Sequence, residues 1–178
     1  DKQSIGSNKK NIKFVRKNYC YHKVDIKNKL KIRNIINKYK PYAIVNFAAE
    51  THVDRSITDP MNFINTNVVG LSNLANEFKL FLKNNKKKNY KFIQISTDEV
   101  YGSTNKKSFK ETDVLKPNSP YSSSKAAAEL ILRSMKKTYD FKSIILRPSN
   151  NFGPRQFNEK LIPLAINNLK NNKKIPIY

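Results

Sequence analysis

Hydrophobic residues occur along the chain in short runs of strand length and in longer amphipathic segments of helix length. The short runs predict strands at residues 19–26, 42–47, 90–95 and 141–146, with a weaker candidate at 175–178. The longer segments predict helices at residues 29–39, 61–82, 121–139 and 162–171. Strands that alternate with helices are typical of parallel sheets with right-handed crossovers. We therefore expect an α/β fold with a doubly wound parallel sheet.

Two polar motifs follow predicted elements and suggest chemistry. Thr97, Asp98 and Glu99 come directly after the third predicted strand, at the sheet edge where open α/β folds bind ligands. Tyr121 and Lys125 are four residues apart at the start of a predicted helix, so they share one face. An ammonium group beside a phenol favours the phenolate, and we expect Lys125 to make Tyr121 a usable base near neutral pH. The pattern predicts acid–base chemistry, and surface residues without a role are the alternative.

Length and composition limit the class of protein. At 178 residues and 38% hydrophobic content, the chain can fill one core. It has no apolar run long enough for a membrane span and no signal-peptide core at its start, so we expect neither membrane insertion nor secretion. The single cysteine, Cys20, cannot form an internal disulfide, which fits a cytoplasmic location.

The net charge of +22, from 35 Lys+Arg and 13 Asp+Glu, suggests nucleic-acid binding. However, the basic residues are mostly lysines that accompany asparagines in runs such as 83–89 and 171–174, which are typical of solvated turns. No aromatic residues are interleaved with the charges in the pattern that single-stranded nucleic acids require. We expect a solvated basic surface and no specific nucleic-acid partner, with a polyanion-binding role as the alternative.

Glycine is scarce, and this bears on cofactor binding. A dinucleotide-binding sheet usually opens with a strand, a glycine-rich turn and a helix whose amino terminus receives the pyrophosphate. The four glycines, Gly6, Gly70, Gly102 and Gly153, do not form such a turn. Either the protein does not bind a dinucleotide, or its first βα unit is missing. The abrupt start, with a polar segment followed almost at once by a strand, favours the second interpretation.

Several motifs together resemble one family. They lie at residues 25–26, 46–56, 66–68, 97–102, 121–125, 149–154, 159–163 and 176–178. With them the chain resembles the extended short-chain dehydrogenase/reductase family and, within it, the dTDP-glucose 4,6-dehydratases of rhamnose biosynthesis. A tyrosine and a lysine four residues apart are weak evidence alone. Their position about 20 residues after Thr97-Asp98-Glu99 is specific, because that triad distinguishes the dehydratases from epimerases and reductases of the same fold.

The resemblance implies an organisation and partners. It implies a Rossmann-like NAD-binding domain at residues 1–150, incomplete at its amino terminus, and the start of a smaller substrate domain at residues 151–178. It further implies NAD as cofactor, a sugar nucleotide, preferably dTDP-glucose, as substrate, and a homodimer. The chain by itself is expected to bind NAD poorly and to be inactive, because the glycine-rich turn is absent.

The resemblance also implies roles in the reaction. Tyr121, assisted by Lys125, takes the proton of the sugar 4-hydroxyl, and Thr97 hydrogen-bonds that hydroxyl. Glu99 removes the proton from carbon 5, and Asp98 protonates the departing 6-hydroxyl. Neighbouring carboxyls in unequal environments can hold opposite protonation states, as this division requires. No metal site is expected.

Binding residues transfer from the resemblance in the same way. The implied cofactor contacts are Asp25, Ile26, Phe47, Ala48, Ala49, Glu50, Thr66, Tyr121, Lys125 and Asn151. The implied substrate contacts are Thr51, Thr97, Asn150, Lys160, Leu161, Pro176, Ile177 and Tyr178. Two alternatives remain open: a sugar-nucleotide 4-epimerase or decarboxylase with the same tyrosine and lysine, and a non-catalytic relative that binds nucleotides or nucleic acid.

Overall fold

The computed structural model describes residues 1–4, 6–8, 11, 19–86, 89–105 and 108–175. The chain divides into two compact units, one formed by residues 1–2 and 22–149 and the other by residues 3–21 and 150–178. The helices of the first unit are α1 (Lys29–Tyr39), α2 (Val53–Thr58), α3 (Pro60–Phe63), α4 (Leu71–Asn84) and α5 (Pro120–Tyr139). Its strands are β1 (Ala43–Asn46), β2 (Lys91–Ile95) and β3 (Ile144–Leu146), and the second unit contains α6 (Leu161–Lys170).

The three strands form a parallel sheet in the order β1-β2-β3. Ala43 pairs with Lys91 at one end of the first ladder, and Ile93 pairs with Ile144 in the second. Each strand is connected to the next through a helical segment, as parallel pairing requires. The predicted parallel α/β, Rossmann-like sheet is therefore confirmed.

The core of the first unit lies between the sheet and the helices α1, α4 and α5. Phe78 and Phe92 are fully buried there, and Phe141 packs on Phe92 with ring centroids 5.3 Å apart. Side chains alternate between the two faces of a strand, so residues of β1 and β3 that point away from Phe92 lie on the opposite face. Val45, Ile144 and Leu146 occupy that face and are 46–49% exposed. The helices of this core thus cover one face of the sheet.

The predicted strand at residues 19–26 is wrong. The segment is irregular and ends in a turn before α1. Its backbone pairs with the first residue instead of with β1, since Val24 N–H donates to the Asp1 carbonyl at 3.1 Å. Alternation of apolar and polar residues indicates that a segment could form a half-buried strand. It does not show whether a neighbouring strand is available to form the hydrogen-bonded ladder that a strand requires. For the weak candidate at 175–178, residue 175 is irregular and residues 176–178 lie outside the described part.

The helix predictions are confirmed with small shifts at the ends. α1 has the predicted bounds because the Asn28 side chain accepts from Lys31 N–H at 3.0 Å, and Lys40 closes the helix in a left-handed conformation. α5 begins one residue early, since Ser119 and Ser122 form a reciprocal capping box and Pro120 is the first helical residue.

The predicted helix at residues 61–82 is longer and contains an irregularity. It runs from α3 through a π-helical segment, Ile64–Gly70, into α4. π-helical segments are rare and occur frequently at functional sites. Thr66 and Asn67, both buried, lie in this segment.

Among the described residues, no helix combines the length and the apolar composition that crossing a bilayer would need.

Gly102 ends the short 3-10 helix Asp98–Tyr101 with a φ of 76°. A Cβ atom there would lie 2.1 Å from the Lys116 carbonyl oxygen, so both strain and a backbone clash oppose any side chain. We expect Gly102→Ala to lower the free energy of unfolding by about 1–3 kcal/mol in urea titrations. Gly153→Ala is the control, because a Cβ at Gly153 would have no atom within 4 Å. Equal effects of the two substitutions would contradict this account.

Candidate active site

The segment after β2 carries the three predicted polar residues on a short 3-10 helix. Ser96 N–H donates to the Leu146 carbonyl at 2.7 Å, and Asp98 N–H donates to the Pro148 carbonyl at 3.1 Å. These bonds fix the segment to the chain that leaves β3. Thr97, only 6% exposed, caps the 3-10 helix by accepting from Glu99 N–H at 3.3 Å. The hydroxyl and the two carboxyls therefore lie at the carboxyl end of the sheet, as predicted.

Tyr121 lies in the first turn of α5 and is 7% exposed. Its ring packs edge-on against Phe63, with centroids 6.3 Å apart. The Thr97 side chain and the charges of Glu99 and Asp98 all act on the pKa of its phenol. The structure therefore brings Tyr121 together with Thr97, Asp98 and Glu99, and the interpretation of Tyr121 as a solvated surface residue is excluded.

Lys125 follows one turn later and is also buried, at 4% exposure. Its Nζ donates to the Ile95 carbonyl at 2.5 Å, at the end of β2. Burial lowers the pKa of Lys125 to about 8, while the charge of Glu129 acts in the opposite direction. Lys125 thus joins α5 to the strand that precedes Thr97.

The expectation that Lys125 lowers the pKa of Tyr121 is wrong for this structure. Burial, followed by the charge of Glu99, raises the pKa of Tyr121 to about 12, and the hydrogen bond with Thr97 offsets only part of this. The ammonium of Lys125 donates to a backbone carbonyl, so its hydrogen bond stabilises the end of β2 and not a phenolate. The four-residue spacing predicted that Tyr121 and Lys125 are neighbours, but it could not predict which acceptor the Lys125 ammonium bonds.

The lowered pKa of Lys125 makes stability depend on pH. Below about pH 8 the folded chain holds a buried ammonium at a cost. Between pH 8 and the ordinary value of 10.5 the unfolded chain binds more protons, so the free energy of unfolding rises with pH. From about pH 7 to about pH 9.5, wild-type should gain roughly 1–2 kcal/mol relative to Lys125→Met in urea unfolding. Lys137→Met, at an exposed position of the same helix, should follow wild-type. Parallel pH dependence in Lys125→Met would contradict the shift.

The loop after β1 holds the predicted contacts Phe47, Ala48, Ala49, Glu50 and Thr51. Asn67 fixes this loop: its side chain accepts from Glu50 N–H at 2.9 Å and donates to the Glu50 carbonyl at 3.0 Å. The same amide donates to Ser124 Oγ on α5 at 2.8 Å. One buried side chain therefore joins the loop, the π-helical segment and α5.

Thr66, Asp25 and Ile26 lie in the same unit. The Thr66 hydroxyl is buried, at 3% exposure of the residue, and has no hydrogen-bond partner among the described residues. Asp25 and Ile26 precede α1, where Asp25 accepts from Lys27 N–H at 2.9 Å. The Ile26 side chain packs against Gly70, so closely that a Cβ there would lie 2.7 Å from it.

Four other predicted contacts, Asn150, Asn151, Lys160 and Leu161, belong to the second unit. Leu161 begins α6 there, and Lys160 caps that helix without a side-chain bond to its backbone. Pro176, Ile177 and Tyr178 lie outside the described residues.

Sequence reasoning missed the buried polar residues that support the site. Besides Asn67, Ser56 on α2 accepts from Tyr121 N–H at 3.1 Å. Glu129 is fully buried on α5 and pairs with Arg147, whose Nη2 lies 2.7 Å from the carboxylate. A buried position for Glu129 could have been suspected, because it continues the helical face of Tyr121 and Lys125 at four-residue spacing.

Comparison with known proteins places this geometry in a family. The model for the family described as GDP-mannose 4,6 dehydratase matches residues 2–178. A dTDP-glucose 4,6-dehydratase of Salmonella typhimurium is 43% identical over 173 residues, covering 90% of this chain and 48% of that protein. The enzyme of the same name from Haemophilus influenzae is 42% identical over 185 residues, covering 100% of this chain and 55% of that protein. The chain spans about half the length of these relatives.

Solved structures of similar fold include enzymes of the same name as these relatives. A dTDP-glucose 4,6-dehydratase of Streptomyces venezuelae, crystallised with NAD and TYD, superposes with a TM-score of 0.81 at 39% identity and covers 88% of this chain and 46% of that one. A UDP-glucose 4-epimerase of Thermus thermophilus, in complex with NAD, gives a TM-score of 0.78 at 27% identity, over 89% of this chain and 48% of that one. The match of the family model along nearly the whole chain, together with these likenesses, establishes that the chain belongs to the GDP-mannose 4,6-dehydratase family.

Proposed function

We propose that the protein carrying this chain is an NAD-dependent hydro-lyase that converts dTDP-glucose to dTDP-4-keto-6-deoxyglucose and water. The observation that carries the proposal is the approach of Thr97, Asp98 and Glu99 to the buried phenol of Tyr121. An epimerase needs a base at carbon 4 but no acid and base for carbons 5 and 6. The carboxyl pair therefore favours a dehydratase, and the relatives named above support dTDP-glucose as substrate.

The residues present fit NAD. A buried hydroxyl without a protein partner loses a hydrogen bond, and a bound ligand can restore it. Within the described part of the chain Thr66 Oγ1 is such a group, on the helix that also carries Asn67. The loop at residues 47–50 follows β1 at the carboxyl end of the sheet, where dinucleotides bind in open α/β folds. We propose that Asp25, Ile26, the loop at 47–50, Thr66, Tyr121 and Lys125 hold the cofactor.

In the proposed reaction Tyr121 takes the proton of the 4-hydroxyl, and Thr97 orients that hydroxyl. When bound, NAD⁺ would supply hydride-transfer chemistry, as an acceptor for the hydrogen of carbon 4 and, once reduced, as a donor of hydrogen to carbon 6, and its positive charge would favour a phenolate. Glu99 takes the carbon 5 proton, made acidic by the ketone at carbon 4, and returns a proton there at the end. Asp98 gives its proton to the 6-hydroxyl, which leaves as water when the bond between carbon 6 and oxygen breaks.

The protons balance over this cycle. The proton that Tyr121 takes from the 4-hydroxyl replaces, through solvent, the proton that Asp98 loses with the departing water. Glu99 ends as it began. Lys125, through its bond to the Ile95 carbonyl, holds the end of β2 against α5.

Two further features belong to the proposal. We expect a homodimer, since the helices on either side of the site keep exposed apolar residues, among them Met61, Val69 and Leu130 at 57%, 44% and 56%. A cytoplasmic location for a protein of nucleotide-sugar metabolism such as rhamnose biosynthesis is supported by the single cysteine, Cys20.

The direct test is turnover by the full-length gene product with NAD⁺ and dTDP-glucose. The expected product is the 4-keto-6-deoxy sugar nucleotide, detected by mass spectrometry as loss of one water. Parallel assays with UDP-glucose and GDP-mannose show which nucleotide and which sugar the enzyme accepts. A product of unchanged mass with inverted carbon 4 would instead identify a 4-epimerase, and no conversion of any of them would refute the proposal.

A further inference from the structure

An ion pair between a fully buried carboxylate and a partly buried guanidinium lies beside the candidate active site. Glu129, 0% exposed on α5, accepts from Ser96 Oγ at 2.6 Å. It also accepts from Arg147, whose Nε lies 3.0 Å from Oε1 and whose Nη2 lies 2.7 Å from Oε2. Arg147 directly follows β3. The carboxylate therefore joins α5 to the ends of both β2 and β3, and a half-exposed Arg133 approaches it to 3.8 Å.

The guanidinium makes a second set of contacts on its other side. Arg147 Nη1 donates to the Tyr101 hydroxyl and, at 3.1 Å, to the Glu111 carbonyl. The guanidinium carbon lies 4.8 Å from the centre of the Tyr101 ring, which stacks on Phe109 with centroids 4.8 Å apart. Tyr101 is the last residue of the 3-10 helix that carries Asp98 and Glu99. Arg147 thus bridges the carboxylate on α5 to that helix.

The bridge involves the same face of α5 that carries the candidate catalytic residues. Tyr121, Lys125 and Glu129 follow at four-residue intervals on one face of α5. Lys125 bonds the Ile95 carbonyl and Glu129 bonds the next residue, Ser96. The segment 96–101, which contains the 3-10 helix, is therefore held to α5 at Ser96 before the helix and at Tyr101 at its end, through one ion pair.

A structural role alone is a poor explanation for this arrangement. A buried ion pair is often no more stabilising than well-packed apolar residues of similar volume, because both charges lose their hydration. What the pair provides, and apolar residues do not, is a set of directed bonds to Ser96, Tyr101 and Glu111. Such bonds matter where reacting groups must be held to a fraction of an ångström.

We propose that Glu129 and Arg147 are positioning residues that fix the 3-10 helix bearing Asp98 and Glu99 against the face of α5 bearing Tyr121 and Lys125. This inference rests on the proposed dehydratase function. Neither residue is assigned contact with the substrate or the cofactor. Their loss should misplace the acid and base while leaving substrate binding largely intact.

The chain offers a matched control. Glu77 on α4 is also buried, with its side chain 1% exposed, and pairs with Arg33 on α1 at 2.7 Å. This pair joins α1 to α4 within the core and, among the described residues, has no hydrogen bond to the 3-10 helix or to α5. Glu77→Gln therefore removes a buried carboxylate without touching the proposed positioning contacts.

The first experiment measures steady-state turnover of dTDP-glucose by the full-length gene product. Glu129→Gln and Arg147→Met should lower kcat by roughly 10–100-fold with less than about a threefold change in KM, the range expected for a displacement of about 1 Å. Glu77→Gln should keep kcat within about twofold when assayed below its unfolding midpoint. Equal losses in Glu129→Gln and Glu77→Gln, or a loss confined to KM, would overturn the proposal. If Arg147→Met does not fold, Arg147→Lys keeps the charge but not the bridge and is expected to show the same fall in kcat.

The second experiment needs no activity. Hydrogen–deuterium exchange of a peptide covering residues 96–102 should be at least about tenfold faster in Glu129→Gln and Arg147→Met than in wild-type or Glu77→Gln. Unchanged exchange would overturn the proposal whatever the kinetics. If wild-type shows no turnover but the two variants still exchange faster than wild-type, the proposed function is refuted and the positioning role of the pair stands.

Discussion

Tyr121→Phe is expected to abolish reduction of NAD⁺ by dTDP-glucose in the full-length gene product. Oxidation at carbon 4 is the first proposed step, and Tyr121 is the group that takes the 4-hydroxyl proton. Loss of a positioned proton-transfer group costs roughly 10²–10⁴ in rate. The ring can keep its edge-on packing against Phe63, 6.3 Å away, so the substitution should remove the hydroxyl without removing the fold.

The measurement is single-turnover absorbance of NADH after mixing enzyme, NAD⁺ and substrate. Tyr139→Phe is the control, because this tyrosine ends the same helix with 58% exposure and its ring remains over Lys79. Wild-type rates in Tyr139→Phe and no absorbance change in Tyr121→Phe on the timescale of the wild-type transient are expected. A normal NADH transient in Tyr121→Phe would show that another group accepts the proton.

Glu99→Gln should separate oxidation from elimination. The ketone at carbon 4 can still form, but the amide cannot remove the carbon 5 proton, so overall turnover should fall by roughly 10²–10⁴. Exchange of that proton with solvent should be lost to a similar extent. Asp98→Asn should instead retain exchange at carbon 5 and slow loss of the 6-hydroxyl, because the amide has no acidic proton to give.

Deuterium uptake from D₂O at carbon 5, followed by NMR together with the NADH transient, distinguishes the two carboxyls. Glu111→Gln serves as control, since Glu111 has an exposed side chain and accepts from Arg147 through its backbone carbonyl, which the substitution keeps. Normal turnover and normal deuterium uptake in Glu99→Gln would show that the base is a different residue.

Local patterns predicted the helices well because their ends are determined locally. Asn28 before α1 and Ser119 before α5 satisfy free N–H groups within three residues, and such caps are readable from sequence. The error at residues 19–26 arose from a property that is not local. Whether a strand forms depends on pairing with a neighbouring strand, and Val24 N–H instead donates to the Asp1 carbonyl.

In the candidate site, too, local features were predictable and contacts between distant residues were not. The four-residue spacing of Tyr121 and Lys125 correctly predicted that they share a helix face near the polar residues after β2. It could not predict that Lys125 would donate to the Ile95 carbonyl, 30 residues away along the chain. Asn67 was missed as a support because its partners, Glu50 and Ser124, are 17 and 57 residues away.

The π-helical segment Ile64–Gly70 has a consequence for how sequences of this family can change. A π turn accommodates about one residue more than an α turn within the same rotation, so it takes up an extra residue without changing the phase of the residues before and after it. Deleting one residue within the segment and restoring α-helical winding would therefore leave both flanks close to their present orientations, whereas a deletion within regular α-helix rotates one half against the other by about 100°. Phe63, which packs on Tyr121, lies before the π segment, and Leu71 and Phe78, which belong to the core, lie after it. A single-residue deletion is therefore expected to preserve the packing of both flanks when it falls within Ile64–Gly70 and to separate the packing of the core from that of the active site when it falls within α4.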